Sequence, residues 1–302
     1  MKTVSYLLHA LSPLHAGTGQ AAGIIDLPIA RMRSTGIPFV PGSSLKGVLR
    51  DARRLKETTD RLFAVFGPER DKPGPEGDTS FDHAGAVVVG DARLLALPVR
   101  SFRGTFAFVT SPLLLRLARR DLELAGVAGL PAPPAASDKA RLVTGSINAA
   151  RKETEPKGDA LYLEDLDLPA TLNDGAADQW AKAIKKVLPE AEHELFAKRF
   201  AIVDDETMTF LWETAMQIDT RIRVDHETGT VAQGALWTEE SLPPETLLIG
   251  LMTAEPSRRK GTVINETDVM NVALPAPAEG EILQLGGKAT IGRGRCRIAR
   301  WS

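Results

Sequence analysis

The sequence predicts an α+β protein built on one sheet domain that carries insertions. Strand-like and helix-like patterns are mixed along the 302 residues, and the first and last elements both have strand patterns. This length suits one large domain with insertions or two small domains. No repeat of about 20–50 residues is present, which argues against a solenoid.

The composition is that of a globular protein. Apolar residues make up 43% of the chain and charged residues 25%. No stretch reaches the roughly 18 uninterrupted apolar residues of a membrane helix, so we expect no membrane partner. The N-terminal apolar run lacks a small-residue cleavage site and is interpreted as a strand. Cys296 is the single cysteine, which excludes an intrachain disulfide and predicts a reducing cytoplasm.

The net charge of −2 conceals two basic clusters. One lies at 46–56 and the other at 281–302, and each has five basic side chains and one acidic side chain. Such clusters are either solvated faces or local phosphate-binding surfaces on an otherwise neutral body.

The clearest local element is a helix that begins after Pro41-Gly42, with Ser43 or Ser44 as N-cap. Its apolar face is predicted to hold Leu45, Val48, Leu49, Ala52 and Leu55. Its opposite face is predicted to hold Lys46, Arg50, Arg53 and Arg54. The helix start offers free amides, two hydroxyls and the positive dipole end, which together suit an anion.

A second glycine-rich segment, Gly286–Cys296, precedes the last strand pattern. Four glycines within nine residues would let the backbone approach a ligand closely and expose N–H groups. The segment matches neither the nucleotide-binding P-loop nor the dinucleotide fingerprint. By itself, a glycine-rich turn before a strand is more often structural.

Four segments, in this order, resemble the RAMP superfamily of CRISPR proteins. They are His15-Ala16-Gly17-Thr18-Gly19, Ile25-Asp26-Leu27-Pro28-Ile29, Pro41-Gly42-Ser43-Ser44-Leu45-Lys46-Gly47-Val48-Leu49-Arg50 and the loop Gly286–Cys296. The segment around Asp26 is most similar to the backbone subunit of type III-B (Cmr) effector complexes, the fourth-named subunit. The matching segments fall in about the first 55 and last 100 residues.

The resemblance implies a modified RRM-like, or ferredoxin-like, core and a protruding β-hairpin thumb. It implies stacking of copies of the chain into a helical filament along a guide RNA (crRNA), beside other subunits of the complex. The thumb would interrupt the guide–target duplex at regular intervals. Target RNA would be cut once per subunit in a reaction that depends on a divalent metal, Mg²⁺ or Mn²⁺. The protein would thus be an RNA-guided endoribonuclease.

We expect a single domain over 1–302 with two interruptions. Residues 67–83, rich in proline, glycine and charge, are predicted to be a flexible loop, and 130–204 a lid-like insertion. The core would come from about 1–66, 84–128 and 205–302.

Asp26 is the family's cleavage position and the expected metal ligand. RNA carries its own nucleophile, the 2′-hydroxyl, and one carboxylate can act as general base or hold a hydrated Mg²⁺. The alternative is an aspartate that only shapes a turn. His15 is a further catalytic candidate, with a structural loop histidine as the alternative. Glu239 and Glu240 follow a strand pattern and could approach the same site, with a solvated strand end as the alternative.

The remaining candidates would contact RNA. The expected RNA-binding residues are Ser43, Ser44, Lys46, Arg50, Gly286, Gly287, Lys288, Gly292, Arg293 and Gly294. The expected thumb tip is Val224, Asp225, His226 and Glu227, where turn residues separate two strand patterns. A hairpin without RNA contact is the alternative. Two other functions remain open, a non-catalytic subunit that coats guide RNA and a metal-independent processor of guide precursors.

Overall fold

The computed structural model describes residues 1–17, 25–69, 83–225, 227, 229–275 and 280–301, with the backbone alone at 232–234. These ranges form a mixed α+β fold around a large sheet, which confirms the predicted class. Most of the expected flexible loop at 67–83 lies outside the described residues, as do Thr18 and Gly19 of the His15 segment.

The described strands, in chain order, are β1 (Lys2–Ala10), β2 (Phe39–Val40), β3 (Val87–Val89), β4 (Ala92–Ser101), β5 (Thr105–Thr110), β6 (Ala140–Leu142), β7 (Ala150–Lys152), β8 (Gly158–Leu163), β9 (Leu166–Thr171), β10 (Phe200–Ile202), β11 (Gln217–Val224), β12 (Val231–Ser241), β13 (Leu247–Ala254), β14 (Glu281–Gln284) and β15 (Arg295–Trp301). The described helices are α1 (Gly42–Arg53), α2 (Thr59–Phe66), α3 (Pro112–Leu124), α4 (Gly175–Lys185), α5 (His193–Ala197), α6 (Asp205–Thr214) and α7 (Glu266–Ala273). Short 3₁₀ turns lie at Glu190–Glu192 and Ala289–Ile291.

One half of the main sheet has the strand order β14-β15-β1-β13-β4, and every neighbouring pair is antiparallel. Strand β1 lies inside this half and is covered on both faces. Tyr6 and Leu8 pack into the core with α1, α2 and α7, whereas Leu7 packs into a second core with α3. Because helices cover both faces, even Ser5 and His9 are buried.

The other half closes on itself. Strands β4, β5, β10, β6, β9 and β8 pair in that order, and β8 returns to β4 through Ser101 and Leu163. The segment 130–204 supplies four of these six strands and also carries α4 and α5. It therefore takes part in the sheet framework.

Helix α1 differs from its sequence prediction at both ends. It begins at Gly42 with Pro41 at the N-cap position, so neither Ser43 nor Ser44 caps it. It ends at Arg53, which leaves Leu55 98% exposed instead of on the apolar face.

Arg53 was predicted on the basic face of α1, and it is 2% exposed. Its guanidinium pairs with Glu281 of β14 and donates to the Val272 carbonyl of α7 at 2.8 Å. The prediction was wrong because helical spacing cannot distinguish a solvated arginine from one paired with an acid 228 residues away.

Candidate functional site

The last residues of β12 lie beside the loop that holds Asp26. Leu27 forms a parallel bridge with Glu239, its N–H donates to the Thr238 carbonyl at 3.1 Å, and its carbonyl accepts from the Glu240 N–H at 3.0 Å. The loop is therefore attached to the hairpin β11–β12, and three consecutive residues of β12 each hold a different part of the site.

Thr238 holds the carboxylate of Asp26. The Thr238 N–H donates to Asp26 Oδ2 at 2.7 Å and the Thr238 hydroxyl donates to the same oxygen at 3.0 Å. In return, the Asp26 N–H donates to Thr238 Oγ1 at 3.2 Å. The backbone and side-chain hydrogen bonds from Thr238 lower the pKa of the Asp26 carboxyl below its ordinary value, so this exposed group is ionised at neutral pH.

Glu240 organises the chain on either side of Asp26. It is 1% exposed and accepts two hydrogen bonds from Arg31, at 2.5 and 2.7 Å, and one from the Ile29 N–H at 3.0 Å. Its backbone carbonyl accepts a hydrogen bond from His15 Nδ1 at 2.7 Å. His15 therefore lies within the site, with its ring orientation set by the hairpin.

Glu239 is also 1% exposed and lies between two basic side chains. Lys288 of the glycine-rich loop donates to its Oε2, and Arg221 of β11 lies 3.5 Å from the same oxygen. A carboxylate buried between two cations is poorly placed to take a proton from RNA. The geometry favours a structural role for this catalytic candidate.

The glycine-rich loop packs directly on the chain before His15. The Gly294 N–H donates to the Pro13 carbonyl at 2.9 Å, and a Cβ on Gly286 would lie 2.4 Å from the His15 carbonyl oxygen. Gly286 and Gly294 both have positive φ, at +72° and +76°. These glycines let the loop approach the protein's own chain closely, and the expected approach to a ligand stays a prediction.

The predicted segments meet at one cleft of about 330 Å³. It is lined by Leu14, His15, Ala16, Gly17, Leu27, Pro28, Val40, Ser44, Leu285, Gly286 and Gly287. Residues from the His15 loop, the Asp26 loop, the start of α1 and the glycine-rich loop therefore share one surface. Ser43 and Ser44 are exposed in the first turn of α1, where backbone amides have no intrahelical acceptor.

The other predicted basic contacts have protein partners. Lys46 is half-buried and donates to the Val87 carbonyl at 3.0 Å, and Arg50 lies over the Phe63 ring at 5.4 Å. Burial, together with the charge of Arg50, lowers the pKa of Lys46. The expectation of an open basic face at these two positions was therefore wrong, because α2 and β3 pack against that face.

Two charged side chains of the glycine-rich loop also have partners within the protein. Arg293 lies 2.9 Å from Asp219 of β11, and Lys288 is held by Glu239. Gly292 lies at the C-terminal end of the 3₁₀ turn, with φ of +78°.

The predicted hairpin is present. Strands β11 and β12 form a two-stranded antiparallel sheet separate from the main sheet, with Val224 paired to Val231 near the turn. Asp225 and Glu227 lie in this turn, and His226 lies outside the described residues.

Sequence reasoning did not single out Thr238, Arg31 or Arg221. The one available signal was that Thr238 directly precedes the acidic pair Glu239-Glu240, in a segment already assigned to a strand end. Nothing local indicates that its partner is 212 residues away.

Comparison with known proteins decides the family. The family model of the RAMP superfamily matches residues 7–297. This chain belongs to the RAMP superfamily. Within it, the CRISPR system Cmr endoribonuclease Cmr4 from Pyrococcus furiosus is 35% identical, over 99% of this chain and 95% of the relative. The resemblance predicted from the four segments is thereby confirmed.

Solved structures agree with this RAMP assignment. The crystal structure of oligomeric Cmr4 from Pyrococcus furiosus has a TM-score of 0.72 and 30% identity, and the match covers 100% of this chain and 98% of that one. A chain of the type III-B Cmr-beta complex bound to cognate target RNA, solved by cryo-EM, has a TM-score of 0.73 over 99% and 97% of the two chains. At 20% identity, the second match shows the fold alone.

Two features are absent from the part of this RAMP protein that the structure describes. No helix there is long and apolar enough to cross a membrane. No group of three or more His, Cys, Asp or Glu side chains there is arranged to hold a metal ion.

Proposed function

We propose that this chain is the RNA-binding backbone subunit of a type III-B CRISPR effector complex and cleaves target RNA with Asp26. One observation carries the proposal. An exposed, ionised carboxylate is held by Thr238 beside the cleft where the family's characteristic segments meet, in a chain 35% identical to a named Cmr endoribonuclease.

The proposed reaction uses the 2′-hydroxyl of the target RNA as nucleophile. The 2′-oxygen attacks the adjacent phosphorus and its proton leaves to a base. The bond from phosphorus to the 5′-oxygen of the next nucleotide breaks, which leaves a 2′,3′-cyclic phosphate and a 5′-hydroxyl whose oxygen takes a proton from water. Asp26 is suited to accept that proton because its carboxylate is exposed and ionised. Glu239 and Glu240 hold the surrounding chain, and His15 lies in the cleft with Nδ1 bonded to the Glu240 carbonyl.

The carboxylates around Asp26 suit a divalent cation that is bound through Asp26 alone. Because Glu239 and Glu240 are buried in ion pairs, Asp26 is the carboxylate of this site that remains open. Mg²⁺ commonly binds through one or two carboxylates, with water and phosphate oxygens as its other ligands. Asp26 would hold such an ion, which supplies charge stabilisation at the scissile phosphate. The described side chains of this site do not supply a complete set of metal ligands.

The guide RNA is proposed to lie across the cleft. Ser44 at the start of α1 and the backbone of Gly286 and Gly287 line it, and both offer N–H groups to phosphate. Lys288 and Arg293 are paired within the protein. Backbone amides and hydroxyl groups are therefore proposed to make more of the contacts with the guide-RNA phosphates than the sequence predicted.

The hairpin β11–β12 is proposed to be the thumb. Its exposed side chains include a set of apolar ones at Ile218, Ile222, Val224, Val231 and Leu236. An apolar wedge of this kind can interrupt base stacking, and it would place the disrupted nucleotide near the strand end that holds Asp26. Repeated along a filament of copies, this arrangement would give cuts at regular intervals.

The half-sheet β15-β1-β13-β4 is proposed to be the modified RRM-like core. In chain order, β1 and β4 flank α1, and β13 and β15 flank α7. The antiparallel order supports a ferredoxin-like βαββαβ arrangement with a large insertion between β4 and β13. Within one effector, copies of the chain, other Cmr subunits, guide RNA and target RNA are the proposed partners, and the cytoplasm is the proposed compartment.

The test is Asp26→Asn in the assembled complex. The change is nearly isosteric and removes the charge, so guide binding and target affinity should persist while cutting at every regular position stops. End-labelled target RNA with Mg²⁺ or Mn²⁺, beside a binding titration, measures both. Asp51→Asn, which removes an exposed carboxylate on α1, is the matched control. Cleavage by the Asp26→Asn complex at the wild-type rate would overturn the assignment of catalysis to Asp26.

A further inference from the structure

We propose that Thr238 is a positioning residue for target-RNA cleavage, and that its hydroxyl fixes the carboxylate of Asp26 to the hairpin β11–β12. The inference rests on the proposed role of Asp26 and extends it to a second residue. Thr238 and Asp26 exchange three hydrogen bonds, two of which use the Thr238 hydroxyl.

The segment that holds Asp26 is attached to β12 at several points. The segment from Asp26 to Ile29 bonds to β12 through the Asp26 carboxylate, both backbone groups of Leu27 and the Ile29 N–H, which donates to Glu240. The orientation of the Asp26 carboxylate is therefore set by the last residues of β12, the second strand of the hairpin. A displacement of β12 would carry Asp26 with it.

The Thr238 hydroxyl constrains Asp26 more than the Thr238 backbone N–H could by itself. Asp26 is exposed, so its side chain would sample several rotamers in water without a partner. The Thr238 hydroxyl accepts from the Asp26 amide and donates to Asp26 Oδ2, so it closes a ring that constrains both the loop and the side chain. Misplacement of a reacting group by about 1 Å is enough to cost a large factor in rate.

Thr238→Val separates this role from strand formation. Valine keeps the β-branched shape that suits β12, and the backbone N–H of residue 238 still donates to Asp26. Only the two hydroxyl-mediated hydrogen bonds are removed. Thr238→Ser is the matched variant, because it keeps the hydroxyl and removes only a methyl group.

Wild type, Thr238→Val, Thr238→Ser and Asp26→Asn are compared as assembled complexes in single-turnover cleavage and target-binding titrations. Hydrogen–deuterium exchange of the peptide spanning 25–33 gives a readout besides activity. We expect Thr238→Val to cut about tenfold more slowly, the size expected for loss of hydrogen bonds to a charged group. Target affinity should be unchanged, exchange in 25–33 should be faster, and Thr238→Ser should behave as wild type.

Three results would overturn the inference. Wild-type cleavage by Thr238→Val, with Asp26→Asn inactive, would remove the role of Thr238 and leave that of Asp26 intact. Equal losses in Thr238→Val and Thr238→Ser would show that the hydroxyl is not responsible. Wild-type cleavage by Asp26→Asn would end both proposals, whatever the Thr238 variants do.

Discussion

Lys288 of the glycine-rich loop donates a hydrogen bond to the buried carboxylate of Glu239 at the base of the hairpin. The two residues are 49 positions apart in the chain, and their contact joins the loop Gly286–Cys296 to β12. Because the neighbouring Thr238 holds Asp26, the same short stretch of β12 supports both the loop and the proposed cleavage residue.

Glu239→Gln should destabilise the protein. The amide cannot balance the charges of Lys288 and Arg221, so we expect a loss of about 1–3 kcal/mol in the free energy of unfolding. Thermal and denaturant melts measure it, and Glu213→Gln, at an exposed position of α6, is the control. An unchanged melting temperature together with lost cleavage would instead assign Glu239 to the chemistry.

Two glycines of the loop should respond differently to alanine. A Cβ on Gly294 would lie 1.8 Å from the Leu285 carbonyl oxygen, so Gly294→Ala should lower both melting temperature and RNA binding. Gly292 has φ of +78° and no described atom within 4 Å of its Cβ position, so Gly292→Ala should cost only backbone strain of about 1–2 kcal/mol. Melting curves and RNA-binding anisotropy test both variants. Equal effects would contradict the packing argument.

Stability should fall as the pH rises through the pKa of His9. This buried residue of β1 lies 2.8 Å from Glu245 and 3.4 Å from Glu192, and Arg297 pairs with Glu192. Burial by itself would lower the pKa of His9. The two glutamates accept hydrogen bonds from its ring and are negatively charged, and these effects exceed that of burial and raise the pKa above 6.5. The stabilisation is fully present below about pH 6.5 and is lost above the folded-state pKa.

The measurement is the melting temperature of wild type and His9→Gln from pH 6 to 9. We expect the wild type to be the more stable at pH 6 and the difference to shrink as the pH rises. A difference that stays constant over this range would show that His9 does not titrate with folding.

Local patterns predicted much of what is local. The helix after Pro41, the glycine-rich turn before β15 and the hairpin around residue 225 are each encoded by short-range periodicity or turn residues, and all three are present. One error lies at a helix end, and the others lie where separate elements meet. Leu55 was assigned to the apolar face of α1, but the helix ends at Arg53. Lys46 and Arg50 were assigned to a solvent-facing surface, but β3 and α2 contact them.

The sequence by itself determined the family, the ordered segments around His15, Asp26, Ser44 and Gly286, and the candidate carboxylate. The family and the role of Asp26 followed from the resemblance of those four ordered segments, whereas turn chemistry acts over a few residues, so the loops themselves can be predicted from neighbours in the chain. Only the tertiary structure decided which side chains support Asp26. Thr238 is 212 residues from it in the chain, and a hydrogen bond across that separation depends on how the sheet is ordered and on the register of β12, which no local pattern specifies.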